Sequence, residues 1–266
     1  MTPDANANFR SRVSEIAVAG DFGTVNIGKG FGIFGVPAIG DNSSQLGVGL
    51  IRGPDQVAAT AGRIGNGFFY ANFNPRVMYT SNNLGGLQFK VGLFSPSKVD
   101  GVDDAEYTMP RIEANVVYST DVFSLWSSGF TQDVDSKTGT FDYYTMSGID
   151  FGGSVSLGDL NVRGNYSMTQ GTGNGVFAAR LDPNEEDASQ WYVESTYKIN
   201  RTTLGVSYGE GKDDFYGSGA DTDLTMLFAR YAVTDNLLLL AEYSTLGTRN
   251  GEGEYNAIIF GSRLTF

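Results

Sequence analysis

The side chains able to do chemistry in this 266-residue chain are carboxylates, guanidiniums, amines and hydroxyls, because it contains no histidine and no cysteine. That removes the serine–histidine and cysteine–histidine hydrolases and the histidine-ligated metal enzymes, since no residue can act as general base or imidazole ligand. Electrostatics remains. The acids gather in short stretches: Asp100, Asp103, Asp104 and Glu106; Asp133 and Asp135; Asp182, Glu185, Glu186 and Asp187; Asp213 and Asp214. Carboxylate oxygens suit hard cations such as Ca2+, yet none of these stretches has the EF-hand spacing, and their plainest reading is solvated loop. Glycine-x-glycine runs recur, but none is followed by the Lys-Ser/Thr or the helix that a phosphate cradle needs. A formal charge of −12 opposes any sizeable nucleic-acid contact. The chain is expected to be no enzyme and to hold no cofactor or metal.

The elements that carry the charges repeat with the period of a β-strand. From Arg111 to Tyr118, Ile112, Ala114, Val116 and Tyr118 share one face and Arg111, Glu113 and Asn115 the other. The same split sets Leu87, Phe89, Val91 and Leu93 against Gln88 and Lys90, and Leu160, Val162 and Tyr166 against Asn161, Arg163 and Asn165. It continues with Trp191, Val193 and Tyr197 against Glu194 and Lys198, then with Leu227 and Tyr231 against Arg230, and with Leu239 and Tyr243 against Glu242. A soluble β-sandwich also alternates. Three features favour a barrel in lipid: aromatic residues near strand ends, short turns alternating with longer acidic loops, and charges of both signs on the polar face. No stretch approaches the ~18 apolar residues of a membrane-spanning helix.

The pattern predicts about thirteen strands, near 12–19, 24–30, 71–81, 87–95, 109–118, 122–132, 142–156, 159–171, 189–199, 203–213, 221–233, 237–248 and 254–266. Residues 31–70 break the rhythm with nine glycines, preceded by Gly30, and such a length argues for a functional loop.

These residues resemble the general porin family of Gram-negative bacteria. Arg12 to Lys29 looks like that family's hairpin feeding its pore-constricting loop, and Arg76 to Ser81, followed by Leu84 to Leu87, looks like the strand leaving it. The ending Phe260-Gly261-Ser262-Arg263-Leu264-Thr265-Phe266 is similar to the signature by which insertion machinery recognises outer-membrane strands. The resemblance implies an all-β, transmembrane antiparallel barrel of sixteen strands, with the long loop folded inward between the fifth and sixth. Counted back from Phe266, it also implies a single domain over 1–266 that lacks its first three strands, which would be encoded upstream with a signal peptide. The alternative is a complete thirteen-stranded barrel, closed by pairing 12–19 in parallel with 254–266.

The resemblance further implies a constriction built from Arg12, Lys29, Asp41, Asp55 and Arg76, with Arg52 and Arg63 also on the loop and Met78 standing where a basic residue is usual. Strand parity adds a lumen wall of Lys90, Arg111, Glu113, Asp150, Arg163, Glu194, Lys198, Arg230, Glu242 and Arg263, and Phe266 carries the insertion signal. The function implied is passive diffusion of small hydrophilic solutes and ions across the outer membrane. A structural or adhesive barrel with a plugged interior is the alternative. The partners implied are outer-membrane lipid and lipopolysaccharide, the insertion machinery, and further copies in a homotrimer.

Overall fold

The computed structural model describes residues 11–42, 63–99, 102–173, 178–179, 181–214, 221–248 and 254–266. Strands form where β-branched and aromatic residues alternate with small polar ones, the composition that fits a pleated surface. They are β1 (Ser14–Gly20), β2 (Gly23–Phe31), β3 (Phe73–Thr80), β4 (Leu87–Phe94), β5 (Ala105–Glu106), β6 (Arg111–Ser119), β7 (Phe123–Ser136), β8 (Tyr144–Leu157), β9 (Leu160–Gln170), β10 (Asp187–Ile199), β11 (Thr202–Asp213), β12 (Thr222–Ala232), β13 (Leu237–Thr248) and β14 (Tyr255–Leu264). Each of the long strands pairs antiparallel with the next, while the two-residue β5 sits off this path and pairs with β7. The thirteen expected segments are all present, most within two residues of their expected ends. The short β5 was not expected. Among the described residues β1 pairs with β2 and β14 with β13, and the parallel β1–β14 ladder of a closed thirteen-stranded barrel is not formed.

One end of the sheet carries tight turns. In the β1–β2 turn Gly23 has φ 109°, and a Cβ there would run into the Thr80 carbonyl, so glycine is required. In the β10–β11 turn Asn200 takes the left-handed conformation at φ 54°, which asparagine tolerates better than most side chains. The opposite end carries the longer connections. We call these the turn end and the loop end.

The two faces of the sheet are inverted relative to a water-soluble protein. Along β6 the exposed residues are Ile112, Ala114, Val116 and Tyr118, and the buried ones are Arg111, Glu113 and Asn115. Val77, Leu93, Leu125, Phe151, Val193, Val206 and Leu227 are likewise exposed, whereas Gln132, Asp150, Ser167, Gln190, Glu194 and Glu242 are buried. Apolar surface this continuous belongs against hydrocarbon. What covers the polar face is the segment between β2 and β3. Its Phe34 and Phe69 pack with Phe130 of β7 and with Tyr144 and Met146 of β8, forming the largest apolar cluster of the described residues. A second cluster joins Ala38 and Phe68 of the same segment to Tyr192 of β10.

This inversion makes the faces unequal in mutation. Val206→Lys places a charge on the outer face near the middle of β11 and should cost about 2–4 kcal/mol in bilayers, whereas the same residue on the inner face is tolerated. Asn26→Lys, beside Glu15 on the inner face, should leave stability within about 0.5 kcal/mol of the native protein. Urea titration of the folded protein in lipid measures both.

Candidate functional site

The segment leaving β2 is closed at its neck, where the Gly32 amide donates to the Asn72 carbonyl at 2.8 Å. Gly35 then turns in the left-handed region at φ 78°, with the Phe69 carbonyl where a Cβ would sit. This aims a short 3-10 helix, Val36–Gly40, across the inner face. Wall residues take over its backbone hydrogen bonds. Glu113 Oε2 accepts the Ile33 and Phe34 amides at 2.6 and 3.0 Å, while Oε1 accepts from Arg111 Nε at 2.6 Å. The Gly35 amide donates to Ser128 Oγ at 3.0 Å, and that hydroxyl donates onward to Asp150 at 2.7 Å. Arg163 donates to the Pro37 carbonyl and, at 3.0 Å, to the Tyr192 hydroxyl, which in turn donates to the Ala38 carbonyl at 2.8 Å. The Asn42 amide and side chain both donate to Glu194, at 2.7 and 2.8 Å.

The returning leg is held by the far wall. Arg63 donates to Ser207 Oγ on β11 at 2.9 Å and to the Leu224 carbonyl on β12 at 2.5 Å. The Gly67 amide donates to Gln190 on β10 at 3.2 Å, and Thr222 of β12 donates to Asn66. These bonds require the sheet to curl. Along the ladder β12 lies eight strand spacings from β3, roughly 38 Å at about 4.8 Å each. Asn66 precedes Phe73 by seven residues, a reach of at most about 25 Å. A flat sheet would put Thr222 beyond it.

Charge concentrates where the segment crosses. Arg63 is fully buried with Asp41, Glu194, Glu242 and Tyr192 around it; burial lowers its pKa to about 10, against the pull of the carboxylates, so it stays a cation at neutral pH. Arg230 donates to Asn42 Oδ1 at 3.2 Å. Three wall arginines lie over rings: Arg111 over Phe130 at 3.7 Å, Arg163 over Trp126 at 4.5 Å and Arg230 over Phe228 at 5.1 Å. Planar guanidiniums stack on such faces without losing their remaining donors.

Of the expected constriction residues, Asp41 is buried at this crossing and Arg76 is on the inner face, paired with Glu15 at 2.8 Å. Arg12 and Lys29 are not brought there. Lys29 has the parity of Ile27 and so points to the outer face, and Arg12 is exposed ahead of β1 with its guanidinium 5.3 Å from the ring of Phe73, an outer-face residue. Asp55 and Arg52 lie outside the described residues. Arg111, Glu113, Arg163 and Glu194 are on the expected face, but as anchors of the segment rather than solvated wall charges. Lys90, Lys198, Arg230, Glu242 and Arg263 are inner-face residues, with Lys198 and Arg263 exposed near the turn end. Phe266 is exposed just beyond β14. Ser128, Gln190, Tyr192 and Ser207 were not singled out from sequence. Their only signal there is a polar residue at mid-strand on the inner parity.

The residues 2–251 match the family model described as Gram-negative porin. No curated protein matches the chain in sequence. Among solved structures, the chain is similar to the outer membrane channel DcaP of Acinetobacter baumannii, with TM-score 0.70 and 16% identity over 91% of this chain and 71% of that one. It is similar to an anion-selective porin from Comamonas acidovorans, with TM-score 0.67 and 15% identity over 95% and 77%. It also resembles in-vitro folded OmpT of Vibrio cholerae in its trimer form, with TM-score 0.57 and 18% identity over 95% and 80%.

Glu113 is the anchor whose loss should be felt most. Glu113→Ala strips buried Arg111 of its partner and frees two amides, and should cost about 3–5 kcal/mol. Glu113→Gln, which keeps an acceptor oxygen, should cost less. Urea unfolding of both variants measures the difference; equal and small losses would mean that the carboxylate does not hold the segment.

Proposed function

The chain belongs to the Gram-negative porin family, whose place is the outer membrane, and we propose that it lets small hydrophilic solutes and ions diffuse passively through a water-filled lumen narrowed by the segment between β2 and β3. One observation carries this reading: the segment between β2 and β3 bonds to the inner face of strands from β6 to β12, and so crosses the interior. A connection idle in solvent has no need of buried carboxylates to receive its amides. Here the polar wall does that work, and the passage left beside the segment sets a size limit.

Selection among permitted solutes then rests on fixed charges. Asp41, Glu194 and Glu242 stand with Arg63 and Arg230 at the crossing. Opposed charges in a narrow aqueous path orient polar solutes and raise the barrier for apolar ones, which must displace ordered water from both. No group transfers a proton or forms a bond. The OmpT relative is described as a trimer, and we propose a homotrimer here too, with outer-membrane lipid around its apolar face.

Deletion of residues 36–63 should raise single-channel conductance and admit larger sugars in liposome swelling. Unaltered conductance and an unaltered sugar limit would show that the segment does not set the passage. No conductance from the native protein under any condition would favour a structural or adhesive barrel instead.

A further inference from the structure

At the turn end, on the inner face of β10 to β14, lies a cavity of about 590 Å3 that the crossing segment does not fill. Lys198, Arg201, Arg230 and Arg263 line it, and among the described lining residues Asp235 is the one carboxylate. This is a local excess of cations in a chain of net charge −12. Among the described residues the salt bridges are Arg76–Glu15 and Arg111–Glu113, so none of these four cations has a carboxylate within ion-pair distance.

The register explains why they converge. Lys198 pairs with Thr203 and Thr203 with Arg230, so the three stand in one row across β10, β11 and β12. The two cations of that row are separated by two strand spacings, about 10 Å, with the threonine hydroxyl between them. Arg263 enters from β14, where it pairs with Leu238, one inner-face position nearer the turns than Leu240, the partner of Arg230. Three flexible cationic side chains and a hydroxyl thus face one space. Like charges around a shared cavity repel, and the arrangement becomes favourable when an anion occupies the middle.

We propose that this cavity is a binding site for a small multivalent oxyanion, of which inorganic phosphate is the simplest, held by Lys198, Arg230 and Arg263 with Thr203 as a neutral donor. The site is separate from the crossing. Glu194 lies four residues along β10 from Lys198, roughly 13 Å towards the loop end, and Asp41 and Glu242 face Arg230 from that side. Charge is therefore ordered along the barrel axis, with carboxylates and arginines mixed at the crossing and bases in excess below it, and Arg230 at the boundary. An anion arriving from the turn end meets the bases first; one arriving from the loop end must pass the acids. Residence near the turn end follows.

This inference takes from the pore reading only the placement of the cavity in the lumen, so binding is tested without conduction. Phosphate titrated into the detergent-solubilised protein, at ionic strength held constant with chloride and followed by calorimetry, should bind saturably. The double variant K198Q/R263Q should weaken binding at least tenfold, K198R/R263K should restore it, and K212Q, on the outer face near the loop end, should leave it unchanged. Absence of saturable binding, equal affinity in K198Q/R263Q, or an equal loss in K212Q would overturn the proposal. In planar bilayers, phosphate on the turn side should lower the current more than on the loop side. Binding without any current would sink the pore reading and leave the site standing; current without binding would do the reverse.

Discussion

Hydrocarbon offers no water to a backbone N–H or C=O, so a strand in a bilayer is stable only when neighbouring strands complete its hydrogen bonds. The uninterrupted antiparallel path through the thirteen long strands answers that requirement for the eleven that lie between β1 and β14, each flanked on both sides. It also decides where everything else goes. Once the backbone is satisfied laterally, outward side chains need only be apolar, as Val193 and Leu227 are, and the inward ones need not pack against each other. The interior is free to be polar, and a long connection can enter it.

That connection meets the same rule in a second form. Residues 32–42 have little secondary structure of their own beyond one 3-10 turn, and a buried irregular backbone must find partners for its amides. The wall supplies them through Glu113, Ser128 and Glu194, and supplies donors for its carbonyls through Arg163 and Tyr192. Buried charges are costly unless paired and fully bonded; Arg111 and Glu113 meet that demand by gripping each other and the ring of Phe130, while Asp150 accepts through one oxygen from the amide and hydroxyl of Ser128, the residue that caps the segment. Structural and exposed charges therefore overlap on one wall: Glu194 is buried in holding Asn42, while Arg230 bonds Asn42 as well but stays half-buried beside the proposed passage.

Much of this is legible in sequence because a period of two is a strong signal. The alternation over Arg111–Tyr118 assigns each of those side chains to the face on which it is found, and turn residues bound every long strand. What parity cannot express is depth along the axis or the identity of a partner. Nothing in the string Ser127-Ser128-Gly129 marks Ser128 as the residue that receives the Gly35 amide, since the two are 93 positions apart. Lys29 shows the opposite failure: the family likeness of its hairpin implies a place in the constriction, whereas alternation with the exposed Ile27 sends it outward. Asp41 was visible as a loop acid, but its burial depends on the inward turn at Gly35 and on Arg63 returning beside it.

In the function proposed above, residues 32–42 lie inside the lumen and border the passage. The absence of native cysteine makes a direct measurement available. In Asn42→Cys, a charged, membrane-impermeant thiol reagent added during single-channel recording should reach the introduced thiol through water and lower the current in one step per pore, while leaving the unmodified native protein unaffected. Full labelling of that thiol with no change in current would contradict the account, because the segment would then lie outside the conducting path.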